Sequence, residues 1–270
     1  MQKVQNDEAV TEMVETEVST TNIVCDDASS DDEDEPLKEG DHAGRVKKQF
    51  KDRMKLYRRE SKKEMPMSDQ LDFADPQNVS EFQQAAYESM LLAEVDCMFD
   101  CDYISKVQTE LRDTSRAFLL EWIIDVHRKF RLVPECLYVT QFILDQFLSR
   151  KKIAKSELHL LGVAGLLIST KYEEIYPPEL RDLLAVSENK FTRDQVLKKE
   201  KEILMTLEFK ITAPSAYRFL ERYRRLAPIF EDKEVFFFAQ YILEVSLLDI
   251  TLMRFKPSEL AAAALILSCK

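Results

Sequence analysis

The stretch LHLLGVAGLLISTKYEEIYPPEL, residues 158–180, constrains the fold more than any other part of the chain. Its first thirteen residues, Leu158 to Thr170, carry no charge unless His159 is protonated. A helix that is apolar on every face must lie inside a bundle or a membrane. A bilayer span needs about 20 apolar residues, so this segment is too short for lipid and belongs in a protein core. Gly162, Ala164 and Gly165 keep one side small, which lets neighbouring helices approach closely, while Leu160, Leu161, Leu167 and Ile168 fill the gaps. Lys171, Glu173 and Glu174 follow as a charged cluster. Pro177 and Pro178 lack amide donors and disfavour helix ahead of them, so the helix is expected to stop near Ile175 or Tyr176. The segment reads as the central helix of an all-α domain, with a charged rim where it emerges.

Only 4 Gly in 270 residues argue against a fold of tight hairpins and phosphate-cradling loops. The net charge of −11 is concentrated at one end: residues 1–43 hold fourteen acids against Lys3 and Lys38, which leaves the rest near +1. A nearly neutral folded part does not favour nucleic acid as partner. Five scattered cysteines behind no apolar leader suit a reducing compartment and free thiols. Cys97 and Cys101 lack the further paired ligands that a structural zinc site shows, so no metal or other cofactor is expected.

Residues 1–75 read as a disordered regulatory tail, acidic and then basic. The run Asp26–Glu35 cannot bury enough surface to offset chain entropy. Ser29 and Ser30 precede acids and suit an acid-directed kinase, or else belong to a solvated tail. Residues 45–63 hold ten Lys and Arg, a nuclear-import signal or a spacer. Residues 76–111 supply an outlying helix, 80–96, with Phe82, Ala86, Met90 and Ala93 on one stripe. Asp113, Thr114 and Ser115 offer cap chemistry to a helix richer in apolar residues than one core-facing stripe requires, with Ser115, Phe118, Trp122 and Asp125 on one face. Pro134 and Glu135 start the next helix, with Leu137, Thr140, Leu144 and Phe147 in register. Thr192 and Gln195 form a capping box for another helix. Its apolar stripe, Val196, Ile203, Leu204 and Leu207, is interrupted by Glu200, and Lys171 intrudes similarly one turn after Leu167 and Ile168. Such charges must be paired or lie at the edge of an interface. Three further helices follow Pro214, and the apolar run Ala261–Leu267 needs covering, as in a fragment of a longer protein.

There is no G-x-S-x-G, Walker loop, H-E-x-x-H or G-x-G-x-x-G. Glu173 and Glu174 are adjacent and diverge on a helix. The informative signals, apolar surface and misplaced charge, point to a binding module rather than an enzyme.

Residues 116–132, RAFLLEWIIDVHRKFRL, resemble the first helix of the cyclin box, and KYEEIYPPEL at 171–180 resembles the segment after that family's central helix. FKPSEL at 255–260 is similar to the entry into a second box, and B-type mitotic cyclins are the group most resembled. The resemblance implies an all-α cyclin fold: a first five-helix box over 112–211, and the first three helices of a second over 212–270. It also implies a non-catalytic regulatory subunit of a cyclin-dependent Ser/Thr kinase in mitotic control, present in nucleus and cytoplasm. Matched position by position, Lys171 and Glu200 would contact the kinase's C-helix, and Tyr172, Leu204, Phe209 and Ile211 would form the apolar seat. Two other readings of the charges stand beside this one: an internal Lys171–Glu200 pair, and Lys171 capping its own helix.

The resemblance implies a second site, a docking patch for R-x-L-type substrate motifs made of Ser115, Phe118, Leu119, Trp122, Asp125, Leu158 and His159. Ser115 stands where Met is common in the family, His159 where Gln is, and Phe118 replaces a smaller aliphatic. Trp122 as plain core is the alternative. Arg53 and Leu56 fit the R-x-x-L of a destruction signal read by the ubiquitin machinery, but Arg116–Leu119 and Arg181–Leu184 fit the same pattern. Readings of other classes are a cyclin-fold transcription factor, a kinase-independent scaffold and a transcriptional cyclin. Neither a nucleic-acid nor a membrane partner is expected.

Overall fold

The computed structural model describes residues 66–71, 76–226 and 232–269. Among these the elements are α-helices joined by short 3-10 turns: α1 (Met67–Leu71), α2 (Gln83–Asp96), α3 (Tyr103–Lys106), α4 (Asp113–Phe130), α5 (Pro134–Arg150), α6 (Leu158–Glu173), α7 (Leu180–Val186), α8 (Arg193–Thr206), α9 (Ala216–Leu226), α10 (Lys233–Ser246) and α11 (Pro257–Ser268). Helices α4 to α8 make the five-helix group expected, and α9 to α11 the three-helix group. Among the described residues no helix is long and apolar enough to cross a membrane.

Helix α6 is central because its small residues admit its neighbours. A Cβ on Gly162 would meet Leu119 Cδ1 of α4 at 2.6 Å, and one on Gly165 would meet Leu144 Cδ2 of α5 at 3.1 Å. Helix α5 is buried almost all round and shares the centre, with Leu137, Thr140, Leu144 and Phe147 all in the core. Helix α6 ends at Glu173, slightly before the expected stop. Glu174 turns away and its Oε1 accepts from the Val133 amide at 2.7 Å, so it serves the start of α5 instead. The capping box of α8 is present: Thr192 Oγ1 accepts from the Gln195 amide (3.3 Å), and Gln195 Oε1 from the Thr192 amide (2.8 Å).

Two expectations need correction. The tail boundary at residue 75 is too late, because α1 is folded and Asp69 is buried against α9. Arg222 donates to both Asp69 oxygens, at 2.6 and 2.8 Å. The predicted face of the 80–96 helix holds only in its second half: Met90 packs on the core and Ala93 is half-buried, but Phe82 and Ala86 are exposed and Tyr87 and Leu91 pack instead. The reason is Glu94, which periodicity assigns to solvent. It is buried, and it accepts from the amide (3.0 Å) and hydroxyl (2.8 Å) of Ser258, satisfying the open N-terminus of α11. The acidic run, Ser29, Ser30, the basic block and the Arg53–Leu56 signal lie outside the described residues.

A buried polar knot joins the two helical groups. Arg116 donates to both oxygens of Asp145 (2.7 and 2.6 Å) and to the Leu247 carbonyl (2.7 Å), and Tyr103 donates to Asp145 at 2.7 Å. Burial first, and then Asp145, push the Tyr103 phenol up, which keeps it a donor.

Candidate functional site

Lys171 leaves the last turn of α6, and Glu200 stands on α8. Their side chains meet, Nζ to Oε1, at 2.7 Å. The pair lies at the surface, with Lys171 49% and Glu200 14% exposed, so the internal pairing is present and remains accessible. Around it an apolar patch is open. Tyr172 and Phe209 are 48% and 65% exposed, and Leu204 and Ile211 are half-buried. The Tyr172 hydroxyl shares a hydrogen bond with Thr212 Oγ1, which ties the patch to the connection into α9.

Phe209 is held outward by its backbone. Glu208 and Phe209 both lie in the left-handed region, with φ of 52° and 59°. Side chains with a Cβ resist that region, and a residue held in it costs about 1–3 kcal/mol. The distortion turns the chain sharply after α8 and presents a large ring to solvent. The sequence offered no sign of it, since no glycine marks the turn. Met205 on α8 is 62% exposed, and Ile175 and Tyr176, just past α6, are 87% and 89% exposed; the sequence reading named none of them as a site residue. Their signal was available: two large apolar residues stand between the end of α6 and a Pro-Pro pair.

The second set of residues converges on a groove along α4, of about 630 Å³. Ser115, Phe118, Leu119, Trp122, Leu158 and His159 all line it, while Asp125 lies outside it, one turn beyond Trp122 on the same face. Leu119 and Leu158 are buried beneath, and Phe118 is exposed at 70%. Ser115 Oγ accepts from the Arg112 amide (3.4 Å), so that short side chain serves the helix start where a longer one would fill the groove. Trp122 is half-buried and meets His159 edge to face, with ring centroids at 4.5 Å, and His159 meets Phe191 similarly at 5.5 Å. Trp122 therefore packs on the core and walls the groove. Burial first, and Lys190 second, lower the His159 pKa, and its Nε2 is buried with no hydrogen-bond partner. Of the other R-x-x-L matches, Arg116 is locked into the buried knot and Arg181 lies in the first turn of α7.

Both surfaces are apolar ground edged by charge, set on an all-helical frame. The description "Cyclin, N-terminal domain" matches residues 85–212, and "Cyclin, C-terminal domain" matches 214–270. The chain belongs to the cyclin family. It is 39% identical to Cyclin-A1-4 of Oryza sativa subsp. japonica over 197 residues, covering 72% of this chain and 55% of the relative. It is 38% identical to Cyclin-B1-1 of the same organism, covering 73% and 44%. Against the G2/mitotic-specific cyclin-B of Arbacia punctulata it is 33% identical, covering 74% and 48%. The relatives thus carry both A-type and B-type names, and the chain spans about half their length. Among solved structures, a viral cyclin from herpesvirus saimiri has the same fold, with TM-score 0.60, 22% identity, and 68% of this chain and 80% of that one covered.

Proposed function

We propose that this chain is a non-catalytic regulatory subunit that binds and activates a cyclin-dependent Ser/Thr protein kinase in cell-cycle control, mitosis in particular. The observation that carries the reading is the open apolar patch around Lys171 and Glu200, with Phe209 thrust outward from strained backbone. Strain of this kind is kept where surrounding structure and function require it. A helix of the kinase laid on the patch would bury Tyr172, Phe209 and Ile211, while Lys171 and Glu200 exchange their mutual bond for backbone and side-chain partners at its edge. Pressing on the regulatory helix brings the kinase's glutamate to the lysine that holds ATP, and completes the phosphoryl-transfer site. The α4 groove would hold R-x-L-type motifs of substrates beside that centre. The A-type and B-type relatives favour division over transcription as the setting.

The test is kinase activation in a reconstituted pair. Lys171→Ala with Glu200→Ala, and separately Phe209→Ala, should each lower activation at least about ten-fold, the equivalent of 1.4 kcal/mol of lost interface. Lys171 is half-exposed and the double variant removes both charges together, leaving neither unpaired, so the unfolding transition of the free chain should move by only about 0–1 kcal/mol. Full activation by the Phe209 variant, or a large stability loss with activation intact in the double variant, would assign the patch to folding alone.

A further inference from the structure

A chamber of about 70 Å³ lies where the two helical groups meet. Phe99, Val139, Phe142, Met253 and Leu260 give it a mainly apolar wall. Cys97, half-buried, and Phe255, 52% exposed, complete that wall where solvent reaches it. One polar group there is out of place. Tyr138 lines the chamber and is 4% exposed, and its ring stacks on Tyr217 with centroids at 6.1 Å. Its hydroxyl is buried and has no hydrogen-bond partner among the described residues. A buried donor left in that condition costs about 1–3 kcal/mol. The other polar side chains of the wall are engaged. Glu94 holds Ser258, Gln141 donates to Asp145, Ser246 donates to the Leu243 carbonyl, and Ser215 accepts from the Arg218 amide. Burial first, and Glu244 second, push the Tyr138 phenol up, so it stays a donor.

We infer that the chamber is a binding site for a small uncharged molecule, apolar except for one acceptor oxygen that takes the hydrogen bond of Tyr138. Water suits the place poorly, because a buried water needs about two to four polar partners and the wall's other polar side chains are already engaged. An anion would be set against the Glu94 carboxylate, and a cation would leave the Tyr138 donor unmet. A cavity of about 150 Å³ holds benzene, so this smaller one, with its mouth, admits about four or five heavy atoms. The wall shares no residue with the patch around Lys171 or with the α4 groove, so the inference stands apart from the kinase and docking readings.

Ligand-observed NMR with the full chain tests this, using two probes of one shape: methyl ethyl ketone, and the hydrocarbon in which a methylidene group replaces its oxygen. Tyr138→Phe keeps the ring and removes only the donor. It should weaken the ketone about three- to ten-fold and leave the hydrocarbon unchanged. The same variant loses an unpaired buried hydroxyl, so it should unfold at the parent's temperature or above, and a loss of binding cannot then be a loss of fold. Cys97 reports the location: the ketone should slow its alkylation by iodoacetamide. Ala213→Leu, at a half-buried position of the wall, should weaken both probes by filling the space. If Tyr138→Phe changes neither probe, or both alike, the hydroxyl reads nothing and the inference is overturned. It is overturned equally if neither probe binds, or if Cys97 reacts at the same rate with the ketone present.

Discussion

Glu173 sits next to Tyr172, with the carboxylate of Glu135 for a neighbour. Its pKa is raised above the ordinary 4.5, by burial first and Glu135 second, with Arg218 opposing. A carboxyl whose pKa is higher in the folded chain than in the unfolded one binds its proton more tightly when folded. Its contribution to stability is therefore fullest below 4.5 and is lost as pH rises through the raised value. Glu173→Gln removes that loss. The variant should unfold at a higher temperature than the parent at pH 7 and at about the same temperature at pH 4. Thermal melts across that range check it, and a variant less stable at pH 7 would show that Glu173 makes a charged contact the fold needs. The same local crowding was not legible from the sequence, where Glu173 and Glu174 read as an exposed charged rim. They diverge as expected, but each finds the first turn of α5, Glu174 through the Val133 amide and Glu173 through Glu135.

Helices were the most legible level of this fold, because period and caps are local properties. The apolar run of α6, the capping box of α8 and the Pro entries of α5 and α11 are all where the chain announces them. The glycines of α6 were legible too, and they separate into two kinds. At Gly162 an added methyl would sit 2.6 Å from Leu119 Cδ1; at Gly165 the nearest atom is 3.1 Å away. Replacing Gly by Ala favours a helix by about 1 kcal/mol. Overpacking a full core costs about 1–3 kcal/mol. For Gly162→Ala the closer approach should cancel or outweigh the helix gain, with a net loss of up to about 2 kcal/mol, while Gly165→Ala should be nearly neutral. Urea titrations of both variants decide it. Leu119 also floors the α4 groove, so Gly162→Ala should weaken peptide docking, whereas Gly165→Ala should not. Spacing along α4 made the groove residues legible as a face. The partner walls from α6, and the exclusion of Asp125 from the groove itself, depend on how helices cross, which no local pattern records.

At the scale of the whole molecule, what could not be read was the set of buried polar ties between distant segments. Arg116 with Asp145, Glu94 with Ser258 and Arg222 with Asp69 look in the sequence like ordinary surface residues. The partners of the last pair are 153 positions apart. That pair puts α1, upstream of residue 75, in the folded part, and it makes α1 a strap across α9. Arg222 and Asp69 are 3% and 1% exposed, so neither charge is solvated once the strap is seated. Removing one partner of such a pair typically costs about 3–5 kcal/mol, because the remaining charge stays buried, whereas replacing both with apolar groups is often neutral or better. Asp69→Ala should therefore destabilise the unfolding transition of α9 to α11 by roughly 3 kcal/mol, and Asp69→Leu with Arg222→Met should recover most of that loss. A chain beginning after residue 75 should lose less than Asp69→Ala does, because water then reaches the Arg222 guanidinium. Urea unfolding, followed by hydrogen exchange on α9, separates these outcomes. If the truncated chain proves the least stable of the three, the strap acts through its apolar contacts and the ion pair is incidental to it.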